Sequence, residues 1–371
     1  MNQPLTAIIL AAGYSSRMGA FKPLLPFGGT TVLERVVALF RGAGVDDVRV
    51  VVGHCSAELL PLLKSLDVRP LLNERYQEGM FSSVVAAAES LEGKGSFFLL
   101  PVDIPLVRRK TVELLSRSYQ STGKGILYPA FRGMRGHPPL ISNLYRESIL
   151  SWNGNGGLNG LLTQCESDSA TIETGDEGVL LDMDTPEDYE RLQRRAVIPS
   201  RQQCEQILAE HFVSNSPVVW HSRAVAHLAL LIAESLNVSG CRLDLELIEA
   251  ASLLHDLAKG EPCHATAGAA ILWDMGYDEV AGLVAVHMEL PSREGEVITA
   301  ADLLFLADKM MDRDRLVSLD TRFQRMLERH ASDLTAQANI TRRLESALMI
   351  QRCVEARLGF PVADLLSGTL P

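Results

Sequence analysis

At 371 residues the chain is too long for one typical domain, and two or three are expected. Apolar residues make up 47%, ample for cores of that size, while a net charge of -11 argues against a broad nucleic-acid surface, which relies on clustered cations. No apolar run approaches the roughly 18 residues that span a bilayer, and the N-terminus lacks the charged-then-apolar build of a signal peptide, so a cytoplasmic protein without membrane contact is expected.

From Thr6 to about Asp188, strand-like and helix-like segments alternate, as a parallel sheet covered by helices requires. Leu5 to Leu10 is an apolar run of strand length. Thr31 to Gly42 reads as a helix, Val48 to Val52 as a strand, Ala57 to Leu66 as a helix and Phe97 to Pro101 as a strand. Around Arg191 to Arg201 the chain turns polar and basic, and Pro199 and Ser200 break the periodicity, which puts the domain boundary there. From Gln203 to about Gly359 the segments have helical length and period with almost no β-branched runs, predicting a separate all-α domain. Its last helix, about Asp333 to Leu358, carries Ile340, Leu344, Ala347 and Leu348 at helical spacing and reads as a packing helix or a homodimer contact. Cys55, Cys165, Cys204, Cys241, Cys263 and Cys353 are scattered without a C-x-x-C pair, as reduced thiols would be.

Three stretches of the first half bear chemistry. IILAAGYSSRMGAFKPLL, Ile8 to Leu25, follows a strand with a loop in which Gly13 and Gly19 permit tight turns and Ser15 and Ser16 bring hydroxyls, while Arg17 and Lys22 bring two cations. Backbone N–H groups there can wrap phosphate oxygens while the cations neutralise charge, although the Walker order is absent because Pro23 follows Lys22. Asp103, in PVDIPLV, ends the Phe97 to Leu100 run, where a carboxylate can hold Mg²⁺ over a nucleotide or simply cap a helix. In LDMDTPEDY, Asp182 and Asp184 flank Met183 and on a strand would share a face; Asp184-Thr185-Pro186 also reads as a helix start.

The first stretch resembles the signature of the MobA-like nucleotidyltransferases, a Rossmann-like family that includes the molybdenum cofactor cytidylyltransferases. Its ordered pattern is met by Leu10, Ala11, Ala12, Gly13, Ser15, Arg17, Met18, Gly19, Lys22, Leu24, Leu25 and Pro26. PVDIPLV resembles the family's D-x-P metal motif, LDMDTPEDY its second acidic motif and NERYQEGMFSSV its base- and ribose-contacting segment, with Gly79, Ser82 and Ser83 in place; Gly136-His137-Pro138 matches its G-H-P motif. The resemblance implies an α/β Rossmann-like domain over residues 1–195. In it Arg17, Lys22 and Asp103 act in catalysis, Asp103, Asp182 and Asp184 hold Mg²⁺, and Ala11, Ala12, Gly13, Lys22, Gly79, Ser82, Ser83 and His137 hold the nucleotide or pterin. The Ala-Ala-Gly form points to CTP over other NTPs, with a molybdopterin-type acceptor and a molybdoenzyme or its maturation chaperone as partners. One departure is WNGNGGLNGLL, Trp152 to Leu162, where Asn155 and Asn159 stand at positions that carry charges in the family, which leaves a sugar phosphate or another alcohol open as acceptor.

The second half holds His221, the adjacent His255 and Asp256, His264, His287 and Asp308. A His-Asp pair late in an apolar helix is costly to bury unless something pairs with it, and a metal is the simplest partner. The order resembles the HD superfamily of metal-dependent phosphohydrolases, with LLHDLAK, HATAGAAIL and LLFLADKM closest to a subgroup acting on diadenosine tetraphosphate. His287-Met-Glu-Leu replaces that subgroup's H-T-T-G and leaves the substrate open. The resemblance implies an all-α HD domain over residues 203–365, with Fe, Mn or Zn bound by the six residues and a nucleotide or dinucleotide as substrate. Lys259 and Lys309 lie close in sequence to these ligands, where they would meet substrate phosphates or, as is commoner for lysines, stand solvated at the surface. The competing reading is a nucleotide-binding HD module that regulates the transferase.

Overall fold

The computed structural model describes residues 4–290 and 297–366, and the chain divides into two compact units, Met1–Arg194 and Arg195–Pro371. In the first unit Leu5–Ala11 is buried almost throughout, with no alternation of polar and apolar positions, because it is an interior strand covered on both faces. An eight-stranded sheet runs in the order Ser169–Glu173, Ile126–Phe131, Leu140–Ser142, Ser96–Pro101, Leu5–Ala11, Asp47–Val52, Arg69–Leu72, with Met134–Arg135 paired to Ile126–Phe131. Leu5–Ala11 is parallel to both of its neighbours, Asp47–Val52 and Ser96–Pro101. The chain winds from it to one side, then returns to Ser96–Pro101 on the other, so a topological switch point opens beyond Ala11 and Pro101, where such sheets bind ligands.

The sheet is mixed, which corrects the expectation of a parallel one. Leu140–Ser142 runs antiparallel to both Ser96–Pro101 and Ile126–Phe131, since it is reached through a short hairpin and no crossover helix intervenes to restore the direction. The helix Val32–Gly42 starts at a reciprocal cap: Thr31 Oγ1 accepts from Glu34 N and the Glu34 carboxylate accepts from Thr31 N. Its buried face, Val32, Leu33, Val36, Val37 and Phe40, recurs at helical spacing and covers the sheet, with the Phe40 and Phe98 rings 5.7 Å apart.

The second unit packs Pro217–Val238, Leu245–Leu254 and Ala300–Met310 around one core. Asp302 to Met310 is buried on every side, so that helix forms the centre of the unit. Two details differ from the sequence reading. The polar stretch 191–201 is largely helical: Pro186–Arg195 ends inside it and Arg201–His211 begins in it, capped by Ser200 Oγ accepting from Gln203 N. The unit is also not purely helical, for Met311–Asp312 pairs with Arg315–Leu316 in a small antiparallel hairpin. Arg313 turns the chain there at φ 58°, a left-handed conformation that neither apolar periodicity nor β-branching announces.

Candidate active site and candidate metal centre

A cleft of about 690 Å³ opens at the switch point. Leu10 to Arg17, Lys22, Pro101 to Ile104, Arg135 to His137, Asp182 and Asp184 line it. The Lys22 ammonium donates to Asp103 Oδ2 and to Asp184 Oδ1, each at 2.9 Å, and Arg17 pairs with Asp184 Oδ2 at 2.8 Å. Burial disfavours the charge on Lys22, yet the hydrogen bonds and charges of Asp184 and Asp103 outweigh it and raise its pKa above the ordinary lysine value. The Lys22 backbone N–H donates to Ser15 Oγ at 3.2 Å, so the loop is tied to itself where it presents the cation.

The three carboxylates converge by a route other than the expected strand. Residues 181–184 are irregular, and Met183 N–H donates to the Asp103 carbonyl at 2.9 Å while the Met183 side chain is fully buried. That anchor pins Asp182 and Asp184 beside Asp103. The helix start at Pro186 does not consume Asp184, because Thr185 and Asp188 cap each other: Thr185 N donates to Asp188 Oδ2 and Asp188 N to Thr185 Oγ1. Asp103 and Asp184 share the Lys22 ammonium, and Asp182 lines the same cleft; carboxylate oxygens are hard donors, the kind that suit Mg²⁺.

Of the residues expected at the nucleotide, Ala11, Ala12, Gly13, Lys22, Gly79, Ser83 and His137 line the cleft. Ser82 does not; its hydroxyl donates to the Gly79 carbonyl and, like that of Ser83, accepts from Asn73 Nδ2, so it braces the Gly79 turn from behind. Burial holds the His137 imidazole below its ordinary pKa, against the pull of Asp103 and Asp182. Residues 152–162 do not line the cleft, so the Asn155 and Asn159 departure lies outside it. Tyr14, Tyr76 and Arg135 also line the cleft and are not marked by the sequence, because one aromatic or basic residue in a loop is no signal until the fold shows what it faces.

In the helical unit all six expected ligands meet. His221 Nε2 lies 3.0 Å from Asp308 Oδ1, His255 Nε2 lies 3.5 Å from Asp256 Oδ2 and 3.8 Å from Asp308 Oδ1, and Asp256 Oδ1 lies 3.3 Å from His264 Nε2 and 3.8 Å from His287 Nε2. Nδ1 of His221, His255 and His287 faces the backbone carbonyls of Arg313, Ser252 and Val284 at 2.9, 2.8 and 2.7 Å. A carbonyl only accepts, so each Nδ1 carries a proton, and Nε2 is the atom left to meet a metal. The Nε2 atoms of His255, His264 and His287 are buried without a hydrogen-bond partner, which is the donor set a metal ion satisfies. Two triads, His221, His255 and Asp308, and His255, Asp256 and His287, each bring their donor atoms within 4.8 Å of one another. The hairpin missed by the sequence reading supplies the Arg313 carbonyl that fixes His221. Lys259 pairs with Asp256 at 3.0 Å, and Lys309 pairs with Asp308.

A switch-point cleft with two cations and three carboxylates, followed by a buried His/Asp cluster on helices, defines a nucleotidyltransferase unit joined to a metal-site helical unit. Residues 7–170 match the MobA-like NTP transferase domain and residues 218–312 match the HD domain, so the chain carries one of each. The molybdenum cofactor cytidylyltransferase of Escherichia coli K12 is 28% identical over 189 residues, 50% of this chain and 93% of that protein. The bifunctional protein GlmU of Geobacter sulfurreducens is 34% identical over 122 residues, 32% of this chain and only 26% of that protein. Among solved structures, Rv0371c of Mycobacterium tuberculosis H37Rv aligns with a TM-score of 0.48 at 25% identity, over 52% of this chain and 99% of that one. Among the described residues no helix is long and apolar enough to cross a membrane.

Proposed function

We propose that the first unit transfers the cytidylyl group of CTP to a molybdenum pterin cofactor, and that the second hydrolyses a phosphate bond of a nucleotide or dinucleotide. The observation that carries the transferase reading is the seat of Lys22 between Asp103 and Asp184 at the mouth of the switch point, with Arg17 alongside. In the reaction, a phosphate oxygen of the acceptor attacks the α-phosphorus of CTP in line. The bond from that phosphorus to the oxygen bridging the β-phosphate breaks, and pyrophosphate leaves with the electron pair. Such a transfer asks little covalent chemistry of the protein; positioning and charge neutralisation supply the acceleration. Arg17 and Lys22 neutralise the phosphates, and the Ala11 to Gly13 backbone and Gly79 lie where the nucleoside is held. Mg²⁺ held by Asp103 with Asp182 and Asp184 would add positive charge on the phosphate oxygens.

The choice of CTP rests on the Ala11-Ala12-Gly13 version of the loop and is supported by the name of the E. coli relative. In the second unit Fe, Mn or Zn held by His221, His255, Asp256, His264, His287 and Asp308 would supply Lewis-acid charge at the scissile phosphate. Lys259 and Lys309, which neutralise Asp256 and Asp308, stand near enough to meet substrate oxygens.

The test is pyrophosphate release from CTP with Mg²⁺ and molybdopterin. Replacing Asp103 by Ala removes one carboxylate from an accessible loop, and turnover is expected to fall at least 10²-fold with little change in melting temperature. Near-normal turnover in that variant would remove Asp103 from the site. Wild-type protein that released pyrophosphate only with a sugar phosphate in place of molybdopterin would overturn the acceptor.

A further inference from the structure

The cleft has a part that phosphate chemistry leaves unused. The rings of Tyr14, His54 and Tyr76 form a cluster, with centroids 4.8 Å apart for Tyr14 and His54, 5.4 Å for Tyr14 and Tyr76 and 6.1 Å for His54 and Tyr76. Tyr14 and Tyr76 line the same cleft as Lys22 and Asp103. Tyr14 follows Gly13 directly and keeps 50% of its surface exposed, so its ring offers a free side.

The cluster is placed by the backbone. His54 N–H donates to the Ala12 carbonyl at 3.2 Å, joining the loops that follow Leu5–Ala11 and Asp47–Val52 and setting the imidazole beside Tyr14. Tyr76 packs where only a glycine leaves room: a Cβ on Gly53 would lie 2.7 Å from Tyr76 Cβ and 2.9 Å from its Cγ. Rings held this way lose little freedom when something stacks on them. An aromatic wall beside two phosphate-neutralising cations matches a ligand with a flat ring at one end and phosphates at the other.

We infer that Tyr14, backed by His54 and Tyr76, stacks a planar nitrogen heterocycle. A nucleobase and a pterin share that chemistry. This inference rests on the transferase reading, in which Arg17 and Lys22 seat the phosphates of the same ligand beside the wall.

The test is calorimetric titration of the whole 371-residue chain with three probes: CTP, neopterin and inorganic tripolyphosphate. In Tyr14→Ala the affinity for CTP or for neopterin is expected to fall about 5- to 100-fold, the range for losing one aromatic stack, with tripolyphosphate binding unchanged. Tyr14→Phe, which keeps the ring, is expected to bind all three as the wild type does. A loss confined to CTP assigns the wall to the nucleobase, and one confined to neopterin assigns it to the acceptor ring. If Tyr14→Ala binds CTP and neopterin as tightly as the wild type while tripolyphosphate still binds, the wall is internal packing and the inference is overturned. Wild-type protein that fails to bind tripolyphosphate would overturn the transferase reading, and the inference with it.

Discussion

His287 shows at the scale of one residue how burial and chemistry are joined. Burial pushes its imidazole from 6.5 down to about 3, and the positive charge of His255 adds to the effect. The neutral ring is the metal-binding form, so this pocket keeps His287 ready across the physiological range. The same shift sets a pH dependence. Between about 3 and 6.5 the unfolded chain carries the proton and the folded chain does not, so stability declines as pH falls through that window. In chelator-treated protein the second unit is expected to lose about 1.4 kcal/mol per pH unit from this group, read as falling denaturation midpoints below pH 6.5. His287→Gln should flatten that slope. The carboxylates of Asp256 and Asp308 are held below their ordinary 3.8 despite burial, so their loss begins only below that value. His255, raised by Asp256 against its own burial, acts above 6.5. A slope unchanged by His287→Gln would show that the imidazole is charged in the folded protein.

Between elements the site depends on close backbone approach. Gly136, in the Gly-His-Pro stretch, lies so near the turn at Glu177–Leu180 that a Cβ on it would sit 2.2 Å from the Val179 carbonyl oxygen. That oxygen accepts from His137 N–H at 2.8 Å, so the bond closes only if residue 136 has no side chain. The turn leads directly into Asp182 and Asp184, whose position relative to Asp103 is set through Met183. Gly136→Ala is therefore expected to cost about 1–3 kcal/mol of stability by overpacking, and to lower pyrophosphate release more than tenfold by displacing the acidic loop. Assays of both on the purified variant decide it; full activity with an unchanged midpoint would mean that the turn gives way freely. Gly136 is legible in the sequence as a motif residue, but its reason is not, since its neighbour Val179 is distant along the chain.

For the whole molecule, the six histidine and aspartate ligands all lie beyond Arg195, and the core of the second unit is drawn from residues beyond it as well. A chain of residues 195–371, which keeps the Ser200 cap of the first helix, is expected to fold alone as a helical protein and to retain Fe, Mn or Zn through gel filtration. In the full chain, His255→Ala combined with Asp256→Ala should reduce the metal to near zero by elemental analysis and leave CTP-dependent transfer intact. Metal retained in that double variant would refute the ligand assignment. Transfer lost together with the metal would show that the units are coupled and would favour a regulatory HD module.

The loop from Ile8 to Leu25, the Asp103 segment and the spaced histidines were legible because their chemistry is local: residue types and short spacings are themselves the signal. Segment lengths and periodicity likewise sufficed for the alternation of strand and helix in the first half and for the helices of the second. The remaining features depend on contacts between distant segments. The antiparallel Leu140–Ser142 follows from the geometry of its connection, and the irregular 181–184 stretch is tied to the Asp103 segment through the Met183 N–H bond to the Asp103 carbonyl. Ser82 faces inward because Asn73 lies behind it, and the Arg313 hairpin turns at a non-glycine residue in a left-handed conformation. The Tyr14, His54 and Tyr76 wall is assembled from three loops that meet only when the strands are aligned, so no spacing along the chain reveals it.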